Sequence, residues 1–405
     1  FERTNLNFIQ LILQKKLFFC VLILCSKLFS QELNKNVFDS ILNSSISYEQ
    51  AQRGIDSTLQ VKDLSIYDES YIYHSYAKFL HKINKHKESF FYLKKAIELR
   101  KQTQEKDLKL LKQSLFNLGL YYSRGGKFYK SINAFNELID LPKEDRLRMK
   151  AYSELIMLYS KIGDFEKSKS FFEKTTNYYI KNKDYKRLYK NYMRISKMYA
   201  SMGYKLNSKE IIYYLDKVES LGKHTKIDIK DEAIINLRLG IVYEEINQKE
   251  KALYHYNKAL VKNEILKDSA AISLLNNNIG DLYLYDSSLG KAKESLQKSL
   301  LFSGNNKESK SLVYSTLGAY YLKLKEFDKA KSYLEKVIQV SVFDEESDTY
   351  INPTIDELSI KPNKLLLFDF IYQKARYWKY RFDNEKQNEY LHKALIDYKL
   401  ADQLL

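Results

Sequence analysis

Arg187, Lys190, Arg194 and Lys197 recur at steps of three, four and three within the stretch KRLYKNYMRISKMY. On a helix that spacing sets four positive charges along one stripe, while Leu188, Tyr192, Ile195 and Tyr199 take the core side. Such a stripe can pair with the carboxylates of an acidic peptide or tail; an ordinary solvated face would read the same way. Other reactive residues are sparse. Six histidines occur: His74, His81, His86, His224, His255 and His392. His74 and His81 share one helical face and His86 falls beyond a turn, but a metal site needs converging ligands with a supporting second shell. No strand–turn–helix context presents a serine nucleophile, and the glycines form no phosphate-cradling loop. Neither catalysis, a metal nor a cofactor is expected in this chain.

The two cysteines, Cys20 and Cys25, lie together in KKLFFCVLILCSKLFSQ. Lys15 and Lys16 precede nine apolar residues (17–25). That run is too short to span a bilayer and suits the apolar region of a secretory signal, with a buried core helix as the alternative. Residues 1–30 are expected to form an export signal or N-terminal membrane segment cut near Ser30, although Leu28 stands where a small residue is preferred. Leu24 before Cys25 disfavours lipid attachment. After such a cut no cysteine remains for a disulfide, a thiolate zinc site or a nucleophile. The first residue is Phe1, not Met, so a fragment is expected.

The elements that must position these residues follow from composition and repetition. The 405 residues include 12 Gly and 3 Pro, too few breakers for a sheet protein and consistent with helices joined by short turns. The formal charge of +16 suits an acidic partner, but the lysines are scattered and no nucleic-acid-binding signature is present. LRLGIVYEEINQKEKALYHYNKAL, NNNIGDLYLYDSSLGKAKESLQKSL and YSTLGAYYLKLKEFDKAKSYLEKV share a pattern. Each has a small residue, a Tyr three later, a second small residue nine beyond that, and an apolar residue four further on. Seven repeats fit. The first small slot holds Ala77, Gly119, Ser196, Gly240, Gly280 and Gly318, with Ile156 as the exception. The second holds Ser89, Ser131, Ser168, Ser208, Ala252, Ala292 and Ala330. The apolar slot holds Leu93, Phe135, Phe172, Ile212, Tyr256, Leu296 and Leu334. Gly inside a helix costs roughly 1 kcal/mol against Ala, so its recurrence in one slot implies closely crossing helices. A single pair cannot bury its apolar face alone, and stacked pairs share a core.

This pattern resembles the tetratricopeptide repeat. The resemblance implies an all-α, right-handed superhelix, an α-solenoid of antiparallel helix pairs. Residues 31–69 would be capping helices and 70–340 seven repeats spaced 37 to 44 residues apart. It also implies that outer residues of each first helix line a concave groove. Counted from Ser196, Lys190 and Lys197 fall in groove positions; Ile234, Leu237 and Ile241 fill those of the next repeat, and Leu274, Asn277, Asp281 and Leu284 those of the one after. These apolar positions would accept a helix or extended peptide, or pack against a neighbour.

Residues 341–363 interrupt the register with an acidic cluster (Asp344, Glu345, Glu346 and Asp348) and two prolines, Pro353 and Pro362, and are expected to form a linker. Residues 364–405 then resume as an atypical pair: Ala375, Trp378 and Leu391 fill three slots, Gln387 takes the second small slot, and the second helix is expected to be overlong. An export signal, long repeats, a Pro-containing linker and an ending like KALIDYKLADQLL together resemble the N-terminal region of bacterial proteins carrying a caspase-like CHAT peptidase domain. The resemblance implies an exported bacterial recognition arm that binds a protein or peptide and leads to a downstream domain. The alternatives are the periplasmic sensor arm of a membrane kinase or transcription regulator, and a free-standing exported adaptor. Membrane contact is expected only through the N-terminal segment, and nucleic acid is not expected.

Overall fold

The computed structural model describes residues 39, 42, 47–60, 64–103, 108–142, 145–341 and 364–404. The expected export signal, and the expected linker apart from Ser341, lie outside them. The chain divides into two compact units, Phe1–Asp184 and Tyr185–Leu405. Seventeen α-helices and one short 3-10 turn make up the described residues, with no strand among them. The fold is all-α and made of paired helices, as the repeat requires.

In the first unit, α1 (Tyr48–Leu59) precedes three pairs: α2 (Ile66–Lys82) with α3 (His86–Gln102), α4 (Leu108–Arg124) with α5 (Phe128–Asp140), and α6 (Arg146–Lys161) with α7 (Phe165–Lys181). The second unit has five: α8 (Tyr185–Ser201) with α9 (Ser208–Ser220), α10 (Ile229–Glu245) with α11 (Lys249–Leu266), α12 (Ser269–Tyr285) with α13 (Leu289–Ser303), α14 (Lys307–Lys323) with α15 (Phe327–Ser341), and α16 (Lys364–Glu385) with α17 (Asn388–Leu404).

Local chemistry sets the helix starts. Ser47 and Gln50 form a reciprocal capping box at α1, the Ser47 hydroxyl accepting from the Gln50 N–H at 3.3 Å and the Gln50 side chain from the Ser47 N–H at 3.0 Å. Ser65 accepts from the Asp68 N–H at 3.0 Å. With Asp68 and Glu69 in its first turn, α2 therefore starts at Ile66, so the expected boundary between 69 and 70 falls inside it.

The crossings are built as the slots demand. A Cβ placed on Gly119 would lie 2.6 Å from the Phe135 ring, on Gly280 2.8 Å from Leu296, and on Gly318 2.8 Å from Leu334; on Gly240 it would overlap the Tyr256 ring. The residue sixteen along thus occupies the space that a side chain at the glycine would need. Ala252, Ala292 and Ala330 are wholly buried at the same crossings. Each pair's apolar face is completed by the next first helix: Tyr189, Met193, Ile211, Leu215 and Val218 of α8 and α9 form one cluster with Ile235, Leu239 and Val242 of α10.

The last pair departs from expectation. Its second helix, α17, starts at Asn388 and continues to Leu404, the last described residue, and its first helix, α16, has 22 residues. Gln387 lies in the turn between them, not at a crossing. The turn is made by Lys386 at φ 54°. The absence of glycine there had implied an uninterrupted helix, but a lysine takes the left-handed conformation instead.

Candidate functional site

First helices of successive repeats lie side by side within each unit: α4 beside α6, α12 beside α14, and α14 beside α16. Two kinds of polar contact fasten such neighbours. At their starts, a lysine of one reaches an acid at the beginning of the next. Lys112 of α4, with only 3% of its side chain exposed, bonds Asp145 at 2.6 Å, while Asp145 also caps α6 by accepting from the Leu147 and Arg148 N–H groups, each at 2.9 Å. Burial pushes the Asp145 carboxyl up, but Lys112 and those two N–H groups together hold it below its ordinary value. Lys190 of α8 pairs in the same way with Asp231 and, at 3.6 Å, with Asp228 at the start of α10. At the other end, the Lys323 ammonium of α14 donates to the Leu284 carbonyl of α12 at 2.5 Å and to that of Tyr285 at 3.2 Å.

This pairing corrects the reading of the basic stripe. Lys190 is a fastener between adjacent first helices, because Asp231 sits on α10 opposite it. Arg187 and Arg194 are half-buried and Lys197 is exposed, and none of the three lacks a partner. The stripe is therefore not a row of uncommitted cations. Counting charges along one helix had missed the carboxylates, which come from a helix more than thirty residues away.

The apolar groove candidates are shared between face and core. Ile234 is half-buried against the α8–α10 cluster. Leu237 and Ile241 are half-buried against Ala252, Tyr256, Leu275, Ile279 and Leu282. Leu274 is half-buried and Leu284 buried, whereas Asp281 is exposed. Asn277 is 4% exposed, and its side-chain carbonyl oxygen has no hydrogen-bond partner.

Glu244, which the slot pattern did not single out, belongs to the same region. The Tyr256 hydroxyl donates to it. Burial pushes the Glu244 carboxyl up to about 7; the Tyr256 bond opposes this, and the fields of Asp281 and Glu245 add to it. A phenol in an apolar slot, twelve residues after a glutamate, was the signal available in the sequence.

Elsewhere, serine and histidine meet without an opening to solvent. His74 Nδ1 lies 2.9 Å from the Ser114 hydroxyl. Ser114 is wholly buried. Arg100, 2% exposed, donates to Ser114, to the Leu110 carbonyl at 3.0 Å and to the Ser70 carbonyl at 3.2 Å. Burial, then the nearby Arg100 and Lys78 charges, pulls the His74 imidazole down to about 3, so it stays neutral and structural. His81 and His86 face each other with Nδ1 atoms 3.2 Å apart beside Arg124. Among the described residues no three His, Cys, Asp or Glu side chains converge as metal ligands. None of the described helices is long and apolar enough to cross a membrane.

The comparisons with known proteins agree with this architecture. The tetratricopeptide-repeat family model matches residues 70–103, 112–145 and 312–341, which fall on the α2/α3, α4/α5 and α14/α15 pairs. The chain therefore carries tetratricopeptide repeats. The α10/α11 and α12/α13 pairs follow the same slots, whereas in α8/α9 the expected Ser208 and Ile212 are half-buried and Ile211, one residue earlier, is wholly buried. Among solved structures, the apo form of the quorum sensor NprR from B. thuringiensis superposes with a TM-score of 0.62 at 14% identity, covering 88% of this chain and 93% of that one. A signal transduction ATPase (STAND) protein with a tetratricopeptide repeat sensor, from Pyrococcus horikoshii, gives 0.56 at 16% identity over 93% of this chain; the match spans 56% of that protein's length. Aspartyl phosphate phosphatase F from Bacillus subtilis gives 0.53 at 15% identity over 76% of this chain and 80% of that one. These likenesses concern the fold. No curated protein matches the chain in sequence.

Proposed function

We propose that this chain is a recognition arm: a protein–protein interaction scaffold of tetratricopeptide repeats that binds a peptide or protein segment on the face formed by its first helices. One observation carries the reading. On α10 and α12, half-buried apolar side chains (Ile234, Leu237, Ile241 and Leu274), three of which pack in part against the neighbouring cores, stand next to polar ones (Asn277 and Asp281). That mixture suits an extended or helical peptide held by a few oriented polar groups. An acidic ligand on the α8 stripe is the weaker choice, because Lys190 is already engaged.

The arm is exported from a bacterial cell and serves a caspase-like peptidase of the CHAT type; the apolar run at 17–25 and the tail KALIDYKLADQLL support this. A second reading has its own support: two proteins of similar fold are named as a quorum sensor and as carrying a repeat sensor, which favours the sensor arm of a regulator. Reading the coding DNA beyond Leu405 separates them. An α/β domain with a His and a Cys supports the peptidase arm. A membrane span with kinase or DNA-binding motifs supports the sensor. A prompt stop codon leaves an exported adaptor and rules out both.

A further inference from the structure

Two repeats place a cation, five residues after the first small slot, against the end of the preceding first helix. In the second unit Lys323, five after Gly318, donates to the carbonyls of Leu284 and Tyr285, four and five after Gly280. In the first unit Arg124, five after Gly119, reaches His81, four after Ala77. Here the acceptor is not a carbonyl but Nε2 of an imidazole, at 2.9 Å. His81 carries the contact further: its Nδ1 lies 3.2 Å from Nδ1 of His86, the first residue of α3. The Tyr121 ring of α4 packs edge-on to the His81 ring, with centroids 4.6 Å apart, and the Tyr121 hydroxyl lies 2.9 Å from that of Ser89. The turn of the first pair is thereby fastened to the end of α4.

The direction of the hydrogen bonds along this chain is fixed. A guanidinium can only donate, so His81 Nε2 accepts, and a neutral His81 carries its proton on Nδ1. That N–H donates to His86 Nδ1, which must therefore be bare. A second proton on His81 would set an Nε2–H against the Arg124 N–H, and one on His86 would set two Nδ1–H groups against each other. We propose that His81 and His86 form an acid-sensitive latch between the first two repeats: protonation of either imidazole detaches the α2–α3 turn from the end of α4. The fastener at Lys323, built on carbonyl acceptors, has no imidazole to protonate. The charged and titratable groups facing His81 are His86 from α3 and Arg124 and Tyr121 from α4. Glu88, the acid of this stretch, accepts from the Tyr48 hydroxyl at 2.9 Å and pairs with Lys85 at 3.3 Å, so it is committed elsewhere. Burial first, then the Arg124 and His86 charges, pulls the His81 imidazole below its ordinary 6.5. A histidine lowered in this way contributes stability that is full above pH 6.5 and is lost as pH falls through its folded value. The latch acts on the position of the first pair against the second, whatever the arm binds.

The test is hydrogen exchange of the full chain, followed by mass spectrometry at pH 8 and pH 5, with rates corrected for the intrinsic effect of pH. Peptides covering 78–90 and 119–128 report the latch, and those covering 282–290 and 320–328 report the Lys323 fastener in the same sample. Protection at the latch should fall about tenfold in acid, the loss expected for a hydrogen bond or two, while protection at Lys323 stays unchanged. His81→Gln combined with His86→Gln removes both titrating rings and leaves a donor and an acceptor on each side chain. Once thermal unfolding at pH 8 shows that this double variant folds, its protection at 78–90 should be independent of pH. Wild-type protection that does not change with pH, an equal loss at both edges, or a loss that persists in the double variant overturns the latch. The wild-type comparison decides even if the double variant fails to fold.

Discussion

Ser89, Ser131 and Ser168 close the three crossings of the first unit by donating to the Ala77, Gly119 and Ile156 carbonyls, each twelve residues back, at 2.6, 2.7 and 2.8 Å. Ala252, Ala292 and Ala330 occupy the same slot in the second unit and cannot do so. There the approach depends on glycine opposite them, with Tyr256, Leu296 or Leu334 lying in the space it vacates. A hydroxyl anchors a crossing by direction and tolerates Ile156 as its partner. A glycine–alanine contact has no such anchor and admits no side chain at the glycine. The two devices are not exclusive: at Ala77 and Ile156 the first unit relies on the serine of its second helix, the Gly119–Ser131 crossing combines serine with glycine, and the three glycine–alanine crossings of the second unit rely on the first helix.

The largest effect should come from filling a glycine slot. Gly240→Val forces the branched side chain against the Tyr256 ring and should cost about 3 kcal/mol or more in urea unfolding, whereas Ile156→Val should cost about 1 kcal/mol. The fasteners between first helices also differ. Asp145→Ala removes a helix cap and leaves the deeply buried Lys112 ammonium without its carboxylate, so a loss of about 2 to 3 kcal/mol is expected, below the figure for a fully buried pair because Asp145 is half exposed. That loss should be full above pH 3.8, the ordinary aspartate value, and shrink as acid protonates Asp145 at its lower folded value. Asp228→Ala, whose lysine is 36% exposed and keeps Asp231, should cost under about 1 kcal/mol. Next in size, Ser131→Ala should lose about 1 kcal/mol with its hydrogen bond, while Ala252→Ser should change stability by no more than about 0.5 kcal/mol if its hydroxyl reaches the Gly240 carbonyl. A drop of 1 kcal/mol or more for Ala252→Ser would show that the two crossings differ in separation and not only in chemistry. The smallest effect, and of opposite sign, is Gly54→Ala. Nothing lies within 4 Å of a Cβ there, so the variant should gain up to about 1 kcal/mol in thermal unfolding.

Much of this was legible in the sequence because the slot pattern is local: residues three, twelve and sixteen apart meet across one turn, so spacing alone reports their contacts. The stacking of Tyr159 on Phe171 and of Tyr321 on Tyr333, with centroids 5.6 and 5.3 Å apart, is another twelve-residue relation of this kind. What could not be read were contacts between repeats. Lys190 looked uncommitted because Asp231 is 41 residues away, and the Ser70–Arg100–Ser114 network spans two pairs in the same way. Turns without glycine were hidden for a different reason. Asn84, Asn247, Ser287, Lys325 and Lys386 all adopt positive φ, a conformation whose modest cost in a non-glycine residue is offset by the tight turn it makes, so composition does not betray it.

The short reach of the crossings bears on how the chain comes to be folded. Contacts twelve and sixteen residues apart close small loops, whose entropy cost is low, so each hairpin can form before much more chain is present. The next first helix then adds the contacts that complete the preceding pair's core, and structure propagates from neighbour to neighbour. Emerging from a ribosome, such a chain gains order one pair at a time from its N-terminal side, with the three glycine–alanine crossings forming after those that carry a serine.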